Sequence, residues 1–389
     1  MKKILIYCDD FYPNNTGYAN AFLGLIKSII DSSEEINIEV ITTYPLGNNQ
    51  ELDENKIKVK RLRQIQIPII GYIISSIYNS LIINQYFFKN KFHLLFVETF
   101  DNVFFLSFLS KKIYDYTLVR AHSTSDTEYT FYSKNIKFKI RKHLLVNVIS
   151  KKIKYISATN NFHIDFIKKN YLKNNIIDIS NKFFFVIPNT THIDNNSIEI
   201  TEINVDKIKV MILGRMDDLG FNQKGFLDFI ISLSLLSKSE LEKYEINIVG
   251  SGKKLDYVKE ITKKYNNIIF YENLSHKECI ELLKKVDLVI LPSRYEGLSM
   301  FALESIALGK ICLFSKTGGL VDLVHNNGYF FTPQSYYELS NSLRQILNLN
   351  SEELYQMKKN SLNLYNENFS QKQVYNKFNF AFKIINLFK

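Results

Sequence analysis

The chain has 389 residues, 46% of them hydrophobic and 23% charged, with a formal net charge of +10. That apolar fraction excludes a disordered chain and suffices for the cores of two domains, or at most three. Three cysteines, Cys8, Cys279 and Cys312, lie far apart in apolar contexts, which excludes a disulfide framework or a cysteine metal site and fits a reducing cytoplasm.

The opening MKKILIYCDD has two lysines and a short apolar run. The run is too short for a signal peptide and lacks a cleavage site, so it reads as a first strand, Lys3–Cys8. A loop with Pro13 and Gly17 follows, then a helix from Tyr18 to Ile30. Gly17 either lets a backbone approach a diphosphate or serves only as a helix-entry residue. Further strands are predicted at 36–41, 57–62, 93–97, 116–119, 154–157 and 183–187. Ile65 to Phe88 is rich in Ile and Tyr but carries Pro68, Gly71, Asn79, Asn84 and two glutamines. It is too interrupted for a transmembrane helix and reads as a core helix, with a membrane-dipping element as the second reading.

Lys134 to Lys154 carries Lys134, Lys137, Lys139, Arg141, Lys142, Lys151, Lys152 and Lys154 and no acid, with Leu144, Leu145, Val148 and Ile149 between the basic clusters. Such a segment suits an anionic bilayer, or packs its apolar side on its own domain. Met1–Asn195 holds 25 basic and 17 acidic residues, a surplus of 8, and the remainder a surplus of 2. The basic excess therefore belongs to the first half, and nucleic acid, an anionic membrane or an anionic substrate is the kind of partner it suits.

A polar stretch from Pro188 to Asp206 marks the domain boundary, with 1–190 before it and 191–370 after it. Beyond it, strands are predicted at 207–213, 245–249, 268–271, 288–291 and 311–315, alternating with helices near 226–236, up to 265, at 276–286 and after Ser299. The repeating βα unit gives a second doubly wound domain. The fold class is thus α/β, two Rossmann-like doubly wound domains facing across a cleft, with ligands outside the carboxyl ends of the strands.

Several residues after these strands can carry chemistry. Arg215 follows a strand, and Lys224 precedes Gly225 and a helix; such cations suit a diphosphate, or are solvated residues of an ordinary loop. Gly250-Ser251-Gly252 lacks a dinucleotide fingerprint and is equally a tight turn. In SRYEGLSMFALESIALGK, Glu296 stands in a loop, Ser299 caps the next helix, and Glu304 lies one and a half turns into it among apolar neighbours. A carboxylate there needs donors. Ribose hydroxyls would supply them, as would a structural ion pair, while Glu296 either holds a sugar or is a surface residue.

Taken together, these residues resemble the retaining nucleotide-sugar glycosyltransferases of family 4 (group 1), which have the GT-B fold. The resemblance runs over nearly the whole chain and is strongest from Ile208 to Val324. Glu296 and Glu304, with seven positions between them, match the family's spaced glutamates. Gly214-Arg215 with Lys224-Gly225 matches its G-R and K-G element, Val249, Gly250 and Gly252 its V-G-x-G turn, and Pro188-Asn189 its linker turn. Gly17 resembles its first glycine loop, and His122 in VRAHS its N-domain histidine. The sequence departs in the nine-residue separation of Arg215 and Lys224, the lone glycine at 17, and Asp322 where the family usually has Glu.

The resemblance implies a role for each. Glu304 would bind the ribose, and Arg215 and Lys224 the donor diphosphate as it leaves. Glu296 would contact the transferred sugar. Backbone amides of Gly297, Leu298, Ser299 and Met300 would assist, with Gly17 and Gly250 admitting the donor, and His122 would lie near sugar and acceptor. The last helix, 371–389, with Tyr375, Phe378, Phe382 and Ile385 at helical spacing, would return to the first domain rather than anchor in a membrane. Catalysis would rest on placement and electrostatic stabilisation, with no covalent glutamate. No D-x-D pair occurs, which argues against the other common glycosyltransferase fold and against an obligatory divalent metal. The expectation is a cytoplasmic enzyme, peripheral on the inner face of the cell membrane through 134–154. It would move a sugar from a UDP- or GDP-sugar to a glycan or lipid-linked acceptor in bacterial surface polysaccharide synthesis. It would use no cofactor beyond that co-substrate and bind no nucleic acid. The alternatives are a non-catalytic nucleotide-sugar-binding subunit and a GT-B-fold epimerase acting on UDP-N-acetylglucosamine.

Overall fold

Runs of β-branched residues alternate with amphipathic helices, and the chain builds two parallel α/β units from them. The computed structural model describes residues 1–13, 16–44, 50–52, 57–62, 65, 70–98, 102–122, 143–148, 151–172, 181–193 and 198–387. One unit comprises Met1–Thr190 with Gln371–Lys389, the other Thr191–Ser370.

The first unit holds β1 (Lys2–Asp10), β2 (Ile36–Tyr44), β3 (Gln50–Leu52), β4 (Ile57–Arg61), β5 (Leu94–Val97), β6 (Thr117–Ala121), β7 (Tyr155–Ala158) and β8 (Phe183–Val186). They form one sheet in the order β3-β4-β2-β1-β5-β6-β7-β8. All its pairs are parallel except β3 with β4. Because β1 lies between β2 and β5, the strand order reverses there, and the carboxyl ends of β1 and β5 flank the topological switch point where such sheets bind ligands. Central strands are covered on both faces, which is why Ile4 to Cys8 is a continuous buried run. The C-terminal helix Gln371–Leu387 closes one face. Its Phe378, Phe382 and Ile385 are buried with Ile4, Ile6 and Phe22, and the Phe378 ring meets Phe96 edge-on at 5.9 Å.

Helix Ile70–Lys89 departs from the predicted core helix. Its C-terminal half buries Ile83 and Phe87, but its N-terminal half buries Ser75, Ser76, Asn79 and Ser80 and leaves Ile70, Ile74, Tyr78 and Leu81 exposed. Several inward polar groups find partners, while the buried Asn79 Oδ1 has none among the described residues. The Ser80 hydroxyl donates to Ile77 O at 2.7 Å, Ser75 Oγ accepts from Ile65 N at 2.8 Å, and Asn79 Nδ2 donates to Tyr7 Oη at 3.3 Å. No helix among the described residues is long and apolar enough to cross a membrane.

Within the basic segment, residues 134–142 and 149–150 lie outside the described residues. Residues 143–148 are helical. Leu145 and Val148 are buried in the unit's own core, while Leu144 is exposed and Ile149 lies outside the described residues. Lys152 Nζ donates to Ser107 O at 3.0 Å, and Lys154 stands over the Tyr155 ring at 5.2 Å.

The second unit holds β9 (Ile208–Leu213), β10 (Tyr244–Val249), β11 (Ile268–Tyr271), β12 (Leu288–Leu291), β13 (Ile311–Ser315) and β14 (Gly328–Phe331). They form an all-parallel sheet ordered β11-β10-β9-β12-β13-β14, with its switch point between β9 and β12. Residues 216–223, read as a loop, contain most of a short helix, Asp218–Lys224. Asp217 Oδ1 caps it by accepting from Gly220 N at 2.7 Å, and those amides hold the Asp217 carboxyl below the usual range. Gly225 ends it in the left-handed conformation, φ 66°. Two turns are too few for a helical period to emerge from the sequence.

Candidate active site

The second unit's switch point is built by the segments following β9 and β12. After β12 the chain runs Pro292, Ser293, Arg294, Tyr295, Glu296. It is stitched to the end of helix Asp218–Lys224: Arg294 N donates to Gln223 O at 2.8 Å, and Gln223 Nε2 to Tyr295 O at 3.3 Å. Arg294 grips Asp228 on the next helix through Nε and Nη2, at 3.1 and 3.2 Å. This stitching delivers Lys224 to Glu296, whose two carboxylate oxygens accept from Nζ at 2.8 and 3.1 Å. The two side chains are only 18% and 11% exposed. Gly225 makes the approach feasible, since a Cβ there would sit 2.0 Å from Pro292 O. Gly318 does the same on the other side: its φ is 49°, and a Cβ would lie 1.7 Å from Glu296 O.

Arg215 is not part of this pair. Its side chain is 68% exposed and, among the described residues, pairs only with Asp217, at 3.6 Å. Its backbone is nonetheless close, because the preceding Gly214 packs against the Lys224 side chain, with no room for a Cβ. Gly250 lies against the Gly214 carbonyl in the same way, and Met216 N donates to Ser251 O at 2.9 Å. The strand-end loops at 214–216 and 250–252 are thus one surface, from which Arg215 projects into solvent. Asp322 lies in the 3-10 turn Gly318–Leu323.

Glu304 sits at the fifth position of helix Met300–Ala307 and is buried. Ser299 caps that helix, its hydroxyl accepting from Ala302 N at 3.4 Å. Leu298 is buried, and Gly297 O accepts from Gly319 N at 2.6 Å. Among the described residues the hydrogen-bonding partner of Glu304 is His276, Nε2 to Oε1 at 2.7 Å. His276 opens helix His276–Lys285, where a reciprocal cap between Ser275 and Glu278 fixes its position. The hydrogen bond to Glu304 raises the His276 pKa, against partial burial.

The first unit has a second cluster at its own switch point. Glu98 directly follows β5, its N–H donating to Tyr7 O at 2.9 Å. Arg120 on β6 is fully buried. Its Nη1 donates to Glu98 Oε1 at 2.5 Å, its Nε and Nη2 to Ile187 O at 3.1 and 2.9 Å, and its Nη2 also to Asn189 Oδ1 at 2.9 Å. His122 Nε2 abuts the same Glu98 oxygen. The Tyr18 ring lies 4.8 Å from the imidazole, and the Tyr18 hydroxyl donates to Glu98 O at 2.7 Å. Burial, with Arg120 beside it and Glu98 opposing, lowers the His122 pKa, which keeps the ring neutral near pH 7. Gly17 opens the helix Gly17–Ser32, and a Cβ there would meet nothing within 4 Å.

The sequence of the second unit places it among known proteins. Residues 194–363 match the family described as "Glycosyl transferases group 1". The second unit is therefore similar to the group 1 glycosyl transferases. A glycogen synthase of Mycobacterium tuberculosis is 28% identical over 144 residues, 36% of this chain and 34% of that protein. Protein CapJ of Staphylococcus aureus is 30% identical over 196 residues, 46% of this chain and 48% of CapJ. The matched part thus spans about a third to a half of these relatives. Among solved structures, a sucrose-phosphate synthase from Thermosynechococcus elongatus superposes with a TM-score of 0.76 at 14% identity, covering 100% of both chains. HepE of Anabaena, in complex with UDP and glucose, gives 0.69 at 15% identity, covering 98% of this chain and 100% of that one. The fold is GT-B, two Rossmann-like units in tandem.

In the second unit, the structure joins Lys224 to Glu296 and sets Glu304 on the helix that follows Glu296, while Arg215 stands apart. Sequence reasoning missed His276, Arg294 and Asp228 there, and Glu98 and Arg120 in the first unit. Arg120 stands two residues before His122 in the same VRAHS, and Ser275 with Glu278 is a readable capping box. No spacing signal links His276 to Glu304 or Arg294 to Asp228.

Proposed function

We propose that the protein is a retaining, metal-independent glycosyltransferase. It would move a sugar from a nucleoside diphosphate sugar to a glycan or lipid-linked acceptor in bacterial surface polysaccharide synthesis. The observation that carries this reading is the Lys224–Glu296 pair at the switch point of the second unit. A cation there suits a diphosphate, and a carboxylate suits sugar hydroxyls. Before donor binds, each neutralises the other in a nearly covered site. When donor binds, Lys224 turns to the diphosphate and Glu296 to the sugar. Arg215, extended into solvent, adds a second cation as negative charge develops on the leaving group. Glu304, oriented by His276, takes ribose hydroxyls. The neutral His122 is assigned to the acceptor side.

The complex of HepE with UDP and glucose supports a UDP-sugar as the first donor to test, and a GDP-sugar remains in the panel. Two relatives support the surface-polysaccharide context: CapJ, and an uncharacterised protein of a Klebsiella pneumoniae cps region. A thermal-shift panel of UDP, GDP, ADP and CDP sugars identifies the donor, because a ligand of the native state raises Tm. Release of nucleoside diphosphate with acceptor present, unaffected by EDTA, is the expected outcome. Binding without release would make the chain a non-catalytic subunit. Interconversion of free nucleotide sugars without acceptor would make it an epimerase.

A further inference from the structure

The N-terminal half of helix Ile70–Lys89 in the first unit wears its polarity inside out, while its C-terminal half buries Ile83 and Phe87. At 100° per residue, Ile70, Ile74, Tyr78, Leu81 and Phe88 fall on one stripe. They are 44–58% exposed, while Ser75, Ser76, Asn79 and Ser80 are buried. The stripe runs for about 27 Å at the α-helical rise. Phe108, also exposed, extends it sideways: Asn84 Nδ2 donates to Phe108 O at 3.0 Å and Asn84 Oδ1 accepts from Ser110 N at 2.8 Å, clamping that segment to the helix. Contiguous exposed apolar surface of this kind marks a docking face.

The charges around it choose the occupant. The helix carries no Asp or Glu and ends in exposed Lys89. The clamped segment leads to exposed Lys111 and Lys112, and Tyr116, at the end of their 3-10 turn, meets the Phe88 ring at 6.3 Å. Lys152 binds Ser107 O beside Phe108. Asp115 is the one exposed acid in that turn. Apolar side chains edged by lysines suit the acyl boundary and anionic headgroups of a bilayer. A second copy of the chain would bring like charges together across the seam.

We propose that this helix face lies in the plane of an anionic lipid surface, with Ile70, Ile74, Tyr78, Leu81, Phe88 and Phe108 in the acyl boundary and Lys89, Lys111 and Lys112 at the headgroups. The inference does not rest on glycosyl transfer, because vesicle binding is read without donor or acceptor.

The test uses the full chain and flotation with vesicles of phosphatidylcholine alone or with phosphatidylglycerol. The wild type is expected to float with the anionic vesicles, and more weakly at high salt. Ile74→Glu and Leu81→Glu, both at exposed positions, are expected to cut binding roughly tenfold or more. Lys111→Gln with Lys112→Gln is expected to cut it roughly fivefold per lysine on anionic vesicles only. Unchanged Tm in each variant shows that the fold is kept. Absence of wild-type binding, or binding unaffected by the glutamates, overturns the proposal. So does a stable dimer by light scattering that Leu81→Glu dissociates, since a second copy would then own the face.

Discussion

Replacing Lys224 with Met removes one charge and keeps most of the side-chain volume that packs on Gly214. The ammonium sits 2.8 and 3.1 Å from the Glu296 oxygens, a gross attraction of about 5 kcal/mol at an effective dielectric of 20. Most of that is cancelled by the desolvation of both groups. What the variant loses is set by stranding a mostly covered carboxylate, about 1–3 kcal/mol. For a unit the size of Thr191–Ser370, that corresponds to a Tm lower by about 2–12 °C. On the proposed function the same ammonium also stabilises the leaving diphosphate, so turnover at saturating donor falls roughly 100-fold, about 3 kcal/mol of barrier. Differential scanning calorimetry and nucleoside diphosphate release measure the two effects separately. A second substitution, Glu296→Gln, is expected to restore the Tm, because it removes the stranded charge, but not the turnover. A Tm drop with turnover within about threefold of wild type would reduce Lys224 to a structural cation and refute the assignment.

Glu304→Ala is expected to weaken nucleoside diphosphate binding by roughly 10- to 100-fold, the range for a lost charged hydrogen bond, in an isothermal titration. Glu296→Ala is expected to lower turnover more than affinity, and full activity in both would remove the site. In the first unit, Arg120→Met leaves Glu98 buried without its cation and should destabilise by about 3–5 kcal/mol in urea unfolding, with Glu98→Gln in the same chain recovering much of it. His276 should titrate by NMR above its ordinary value and return toward it in Glu304→Gln. The sign follows from the raised native pKa: the pair's contribution to stability is present in full below about pH 6.5 and is lost as pH rises through the native value.

The strands were readable because each central one is covered on both faces, so that Ile4–Cys8 and Leu288–Leu291 are unbroken apolar runs. The helix Ile70–Lys89 was readable as a helix but not as to its buried side. Ile70, Ile74 and Tyr78 face outward while Ile83 is buried, and Ser75 and Ser80, facing inward, are satisfied by bonds that composition does not encode. The helix Asp218–Lys224 was hidden for a different reason, being too short to establish a period, though Asp217 and Gly225 are the ordinary cap residues at its ends.

The site divides along the same line. Arg215, Lys224, Glu296 and Glu304 each carry a local signal, because each lies just after a strand or at a set distance along the following helix. Which of them meet is a property of strand order. Lys224 and Glu296 are 72 residues apart and come together because β9 and β12 are neighbours while β10 and β11 lie to the other side. Arg215 follows β9 as well, yet the cap by Asp217 starts a helix just after it, which carries Lys224 to Glu296 and leaves Arg215 outside. His276 reaches Glu304 from another helix, 28 positions away. The two cations that look equivalent in the sequence are therefore different in kind: Lys224 is held against Glu296, and Arg215 is exposed and, on the proposed function, would be ordered by the donor. A diphosphate should accordingly slow the motion of the Arg215 Nε–H far more than that of the Lys224 ammonium, which NMR relaxation of the two side chains with and without UDP would measure. Equal ordering of both would mean that the loop 214–217, not the ligand, decides where Arg215 points.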